Sequence, residues 1–301
     1  MSIRIGIEIG GTKQQIVAGD AEGNILDRCR FSVDPEGGGL VIRERISEEL
    51  PNLIAAHKPE RIGVGFGGPV DYTKGTVAVS HQVEGWSGFP LRDWLHELSG
   101  LPVVIENDAN TAALAEALRG AGRGFNPAFY INMGSGVGGG LALDGKIYHG
   151  AATGEVEVGH LRLDNDGTTV EDRCSGWAVD RAIRAGIADA PDSPLAQLIR
   201  GTQGCEAKHL TAALAQDDSI AQTILATLTR DLAFALSHVT HLFHPQVITL
   251  GGGLSLVGEP LRQAIAEKLP GFLMEIYGKG PEIKLAELNE DAVPVGALLL
   301  D

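Results

Sequence analysis

The strongest constraint on the fold is an internal repeat. Residues 5–26 read IGIEIGGTKQQIVAGDAEGNIL, and residues 129–148 read FYINMGSGVGGGLALDGKIY. Each is an apolar strand, a glycine turn, a second strand, an aspartate, another glycine turn and a third strand. Gly10 and Asp20 are ten residues apart, as are Gly134 and Asp144. A supersecondary unit met twice at the same internal spacing points to two copies of one building block.

Beyond each copy, helix and strand alternate. The periodicity predicts a helix over 39–57, interrupted at Pro51, and a buried strand over 61–67. A short helix over 91–99, a strand over 102–106 and an Ala/Leu-rich helix over 109–119 come next. In the second half the pattern gives helices over 175–185 and 219–243. A strand over 246–250 then runs into three glycines, with a helix from about 257 to 269 and a short terminal helix over 293–300 after them. Strands alternating with helices, with hairpins among them, mean α/β architecture with mixed sheets. Two duplicated lobes, 1–109 and 110–289, leave a cleft between them as the expected ligand site, with the terminal helix (about 290–301) packing back on the first lobe.

Three glycine turns are candidates for phosphate contact. Gly10-Gly11-Thr12-Lys13 sits between two strands, where backbone N–H groups can approach an anion with no Cβ in the way. A plain β-turn accounts for it equally well. The run 134–139, GSGVGG, formally matches a dinucleotide fingerprint, but that fingerprint must open a helix. Here Leu141, Ala142, Leu143, Asp144 and Gly145 come next, so a second phosphate-binding hairpin fits better. Gly251 to Gly253 follow a strand and precede a helix; they suit either a nucleotide packed against the helix N-terminus or a tight turn.

The sequence Asn107-Asp108 falls where the strand over 102–106 gives way to a helix. Asp108 reads either as an N-cap or as a general base, with Asn107 beside it for a substrate hydroxyl. The two roles are compatible. Phosphoryl transfer asks for a carboxylate to orient and deprotonate the attacking hydroxyl, and for donors to neutralise phosphate charge.

A net charge of −15 argues against nucleic acid and anionic membranes as partners. Cys29, Cys174 and Cys205 are odd in number and far apart, which fits a reducing cytoplasm better than a disulfide framework. No signal-peptide pattern or membrane-spanning run occurs. His238, His241 and His244 read as groups near a helix C-terminus more readily than as a metal site, because three-residue spacing drifts around a helix.

Taken in order, EIGGTK (8–13), GGPVD (67–71), GLPVVIENDANTAALAEALRGAGRG (100–124), GSGVGGGLALDGKIYHGA (134–151), EVGH (157–160), SGWAVDRA (175–182) and TLGGG (249–253) resemble the ROK family. This family comprises sugar kinases and related repressors within the hexokinase–actin ATPase superfamily. The resemblance implies duplicated ribonuclease H-like (actin-like ATPase) lobes and ATP-dependent phosphorylation of a hexose-like sugar, with Mg²⁺ accompanying ATP. It implies that Gly10, Gly11, Thr12 and Lys13 form the first phosphate loop, Gly134, Ser135 and Gly136 the second, and that Gly251 and Gly252 border adenosine. Asp108 would be the base, and Asn107, Glu157, His160 and Glu171 would bind sugar hydroxyls. Such kinases often form homodimers. The family's repressors carry a helix-turn-helix domain first; with a strand starting at Ile3, none is expected here.

The chain departs from the family at three points. Many members hold a structural zinc with one His and three Cys before the last glutamate. Residues 161–170 contain no Cys and Cys174 lies beyond Glu171, so no zinc is expected. The family's first motif usually begins with Asp, where Glu8 stands. Its Pro-Asn pair before Gly-Trp is replaced by His81 and Gln82, leaving Gln82 as a longer-armed sugar contact. Weakened by Glu8 and Gln82, a sugar-binding or regulatory protein of the same fold is the alternative reading.

Overall fold

The structure is a computed structural model. It describes residues 2–11, 13–33, 37–80, 83–151, 153–154, 156–202 and 204–301. Thr12, His81 and Gln82 lie outside the described residues.

In the first half, the elements run β1 (Ile3–Ile9), β2 (Lys13–Asp20), β3 (Ile25–Ser32), α1 (Gly38–His57), β4 (Arg61–Phe66), the short pair β5 (Val70–Asp71) and β6 (Thr76–Val77), α2 (Leu91–Ser99), β7 (Val103–Asn107) and α3 (Asp108–Arg119). Strands β3-β2-β1-β4-β7 form one five-stranded sheet. The hairpin strands β1, β2 and β3 pair antiparallel, while β1, β4 and β7 pair parallel through helical crossovers.

Strand alternation decides what each sheet face can bury. Ile5, Ile7 and Ile9 of β1 and Ile62, Val64 and Phe66 of β4 join one core with Ile42, Ile46 and Leu50 of α1 and Leu91 and Leu95 of α2. Burying each such side chain contributes about 1.5–3 kcal/mol. The opposite face of β1 and β4 carries Gly6, Gly63 and Gly65. A Cβ on Gly63 would collide with the Ala297 carbonyl of the C-terminal helix. The glycines therefore let that helix lie directly on the sheet.

The helix expected to be interrupted at Pro51 is continuous. Pro51 leaves only the Ser47 carbonyl without its helical partner, on the exposed side. The buried stripe of Ile42, Ile46, Leu50 and Leu53 holds the turns on either side.

In the second half come β8 (Ala128–Met133), β9 (Val137–Leu143), β10 (Lys146–Ile147), α4 (Val170–Cys174), α5 (Gly176–Ala188), α6 (Pro194–Leu198), α7 (Leu210–Leu214), α8 (Ser219–Phe243), β11 (Val247–Gly251), α9 (Glu259–Lys268), β12 (Glu282–Leu285) and α10 (Ala292–Leu299). The second sheet runs β10-β9-β8-β11-β12. Again β11 runs parallel to both β8 and β12. Strand for strand this is the order of the first sheet, so the repeat in the sequence is a repeat in the fold.

By contact the chain forms two units: residues 1–123, 140–155 and 290–301, and residues 124–139 and 156–289. A break between 109 and 110 is therefore not where the chain divides. Helix α3 counts with the first unit because α10 packs on it, a Cβ at Gly296 colliding with the Thr111 carbonyl. Residues 140–155 join it for the same reason, Gly140 lying against Ala113 and the Ala109 carbonyl.

Candidate active site

In the first unit, the β1–β2 turn is closed by Gly10 N donating to the Lys13 carbonyl (3.3 Å). Glu8, just before the turn, is 8% exposed. Its carboxylate accepts from Gln15 Nε2 (2.5 Å) and lies 3.8 Å from Lys13 Nζ. Burial pushes the Glu8 carboxyl above its ordinary range, against the opposing pull of Lys13 and Gln15. The extra methylene relative to Asp is thus taken up by a partner on β2, directly opposite in register.

At the β7–α3 junction, the cap of the helix is Asn107 and not Asp108. Asn107 Oδ1 accepts from Ala109 N (2.9 Å) and Asn110 N (3.2 Å), while its Nδ2 donates to the Gly68 carbonyl (3.1 Å). One amide hydrogen of Asn107 is left for a ligand. Asp108 occupies the first helical position, with Oδ1 accepting from Ala109 N (2.8 Å). Gly67 shows how close these parts come. A Cβ there would lie 3.2 Å from the Ile9 carbonyl oxygen, 3.4 Å from Gly10 Cα and 3.5 Å from Asp108 Oδ2. The first glycine turn and the Asp108 carboxylate therefore meet over one bare glycine.

Behind Asp108 stands a pair that sequence reasoning missed. Glu106, 3% exposed, accepts from Asn107 N (2.8 Å), Asn110 Nδ2 (3.1 Å) and His149 Nε2 (2.6 Å). His149 stacks on Tyr72, with centroids 4.0 Å apart. The available signal was a carboxylate closing the apolar run PVVIE, since a buried charge needs partners.

In the second unit, the turn at Gly134–Gly136 is tied to α4 and α5. Gly134 N donates to the Gly136 carbonyl (3.0 Å), Gly176 N to the Gly134 carbonyl (2.7 Å), and Val137 N to Glu171 Oε2 (2.9 Å). A Cβ on Gly136 would collide with that Glu171 oxygen, so any larger residue there would have to push the Glu171 carboxylate off Val137 N. Glu171 thus braces the second turn with one oxygen and keeps the other. Glu157 precedes one 3₁₀ turn and the exposed His160 is its last residue, with His160 N donating to the Glu157 carbonyl (3.1 Å).

Residues 161–170 are held by their own hydrogen bonds. Val170 N donates to the Leu161 carbonyl and Leu163 N to the Thr168 carbonyl. Asp164 Oδ1 accepts from Asp166 N and Thr168 N. Thr169 and Asp172 then form a reciprocal capping box at the start of α4.

At Gly251 and Gly252 the geometry answers first to packing. Gly252 has φ of +79°, and a Cβ there would come within 2.6 Å of the Met133 backbone. The helix expected from about 257 starts at Glu259, after an intervening 3₁₀ turn over Gly253–Val257. These glycines therefore do not open α9 directly.

Among the described residues, no group of three or more His, Cys, Asp or Glu gathers as a metal-ligand set. His238 packs on Phe234, whereas His241 and His244 pack on Tyr277. Mg²⁺ arriving with a nucleotide is a different case. It takes one or two carboxylates plus phosphate oxygens and water. Glu8 fits that need: a buried oxygen donor beside the first turn, its charge only distantly met by Lys13. No helix among the described residues is long and apolar enough to cross a membrane.

The sequence model of the ROK family matches residues 4–301. A glucokinase of Halalkalibacterium halodurans is 30% identical over 305 residues, covering 97% of this chain and 92% of its own length. A glucokinase of Thermotoga maritima is 30% identical over 301 residues, covering 97% and 95%. The crystal structure of a ROK family glucokinase from Streptomyces griseus, in complex with glucose and AMPPNP, is similar with a TM-score of 0.81 at 30% identity, over 99% of this chain and 98% of that one.

Proposed function

Since the chain belongs to the ROK family, we propose that it is an ATP-dependent kinase of a hexose-like sugar with Asp108 as its general base. Its fold is the family's duplicated actin-like ATPase fold. The observation that carries the assignment of Asp108 is its approach, over Gly67, to the first glycine turn. A base that serves phosphoryl transfer must stand near the phosphate it directs a hydroxyl toward.

In this reading Asp108 Oδ2 takes the proton of the attacking sugar hydroxyl while Oδ1 stays bonded to Ala109 N. Asn107 gives its remaining amide hydrogen to the sugar. Glu157, His160, the remaining oxygen of Glu171, and Gln82 make paired hydrogen bonds to hydroxyls. Gly10, Gly11, Thr12 and Lys13, with Gly134, Ser135 and Gly136, present N–H and hydroxyl donors to phosphate. Gly251 and Gly252 would border adenosine. Glu8 would hold Mg²⁺, which when bound supplies positive charge to the phosphate oxygens. With a net charge of −15, the chain depends on these local donors to hold an anion. The cytoplasm, which supplies ATP, is the setting that suits this reaction.

The test is ADP release from Mg·ATP across glucose, fructose, mannose, allose and N-acetylated hexosamines. The named relatives put glucose first. A rise with at least one sugar is expected. ADP release that ignores sugar, or sugar binding with no release, would contradict the proposal.

A further inference from the structure

We infer that Gln15 is a positioning residue of the first phosphate turn, setting the Glu8 carboxylate that would face the nucleotide's Mg²⁺. The inference rests on the kinase reading for what Glu8 does. The geometry of Gln15 stands by itself.

Gln15 is 1% exposed and uses every hydrogen-bonding capacity of its amide. Oε1 accepts from Arg28 Nη1 (3.1 Å) and Arg30 Nε (3.1 Å). Guanidinium groups only donate, so the amide oxygen must face them and Nε2 must face the other way. Nε2 then gives one hydrogen to Glu8 Oε2 (2.5 Å) and the other to the Glu290 carbonyl (3.0 Å). The guanidinium pair is itself anchored. Arg28 Nη1 lies 2.6 Å from Asp291, and Arg30 lies 3.5 Å from both Glu290 and Asp291.

Glu8 has one more rotatable bond than an aspartate would, and the carboxylate needs a fixed address to serve a metal. Gln15 supplies it, from the residue directly opposite on β2. Residues that hold a ligating carboxylate commonly change metal affinity about 10–100-fold when replaced. A residue that only supports the sheet would not distinguish metal-loaded from metal-free nucleotide.

The experiment compares calorimetric binding of ADP with and without Mg²⁺ to wild type, Gln15→Leu and Arg30→Met, with urea midpoints alongside. For Gln15→Leu, affinity for Mg·ADP should fall about tenfold or more, with metal-free ADP affinity nearly unchanged. Arg30→Met removes one of the two donors on Oε1 and should shift Mg·ADP affinity in the same direction by less. It carries the test if the leucine variant does not fold. Steady-state kinetics should show a higher Mg²⁺ requirement and an unchanged KM for sugar. Equal weakening with and without Mg²⁺, no change in either, or a wild type that gains nothing from Mg²⁺ would each overturn the assignment. Because binding is read without turnover, a wild type that phosphorylates no sugar would sink the kinase reading while leaving this one to be decided.

Discussion

Replacing Glu106 by leucine removes an acceptor that three donors share. The carboxylate is 3% exposed and takes hydrogen bonds from Asn107 N, Asn110 Nδ2 and His149 Nε2. His149 is 28% exposed at its side chain, so water can reach it when the carboxylate is gone. The Asn107 N–H and the Asn110 amide are not so reached; losing an acceptor there costs about 1–3 kcal/mol apiece. Leucine of similar volume fills the space and returns roughly 1 kcal/mol, so the net loss is about 3 kcal/mol. Glu106→Gln keeps Oε1 for the two inner donors and weakens only the contact with His149, so its loss is about 1 kcal/mol. Urea midpoints scaled by a common slope would measure both values. Activity adds a second readout. Asn107 and Asp108 are the next two residues along the chain, and a shift of about 1 Å in a reacting group costs on the order of a hundredfold in rate. The leucine variant should lose far more turnover than the glutamine variant. A leucine variant as stable as wild type, or a glutamine variant as damaged as the leucine one, would show that Glu106 does not hold this junction.

Gly136→Ala forces Glu171 off Val137 N; stability should drop about 1–3 kcal/mol, with kcat/KM reduced for ATP and sugar together, and a purely ATP-side effect would count against the bracing role. Burial pushes the Cys174 thiol up to about 12, so iodoacetamide at pH 8 should label the exposed Cys205 and spare Cys174 in the folded protein; mass spectrometry of the digested chain decides this. Lys74 and then Thr73 hold the Asp71 carboxyl well below its ordinary value of 3.8. A carboxyl lowered in the folded state stabilises above 3.8 and loses that contribution as pH falls below it, so the gap in urea midpoint between wild type and Asp71→Asn should be widest near neutrality and close in acid. A gap that grows on acidification would contradict this.

The architecture was legible because the repeat fixes it. Glycine turns at matched spacing cannot be moved without changing strand lengths, and both sheets follow. Helix α8 ran over the range its periodicity gave, since 25 residues carry enough signal to place both ends. Local rules misjudged places where tertiary packing decides. Pro51 breaks an isolated helix, but not one whose neighbours Leu50 and Leu53 are buried. Asp and Asn both cap helices well, and only the φ and ψ of Asn107 at the strand end settle which of the two does so. The boundary near 109 was misplaced because α10, almost two hundred residues away, claims α3. Glu106–His149 and Glu8–Gln15 were invisible for a related reason. Glu106 and His149 are 43 residues apart, beyond what periodicity can join; Glu8 and Gln15 lie across the expected hairpin, but its register is set by the turn and not by the pattern.

Whether Asp108 is the base of a sugar kinase is decided by measuring sugar phosphate formed from Mg·ATP by wild type and Asp108→Asn side by side, with sugar and nucleotide binding measured on both. Wild type should form product. The variant should bind both ligands nearly as well while losing at least about a hundredfold in turnover. Turnover within a few-fold of wild type in Asp108→Asn would contradict the assignment.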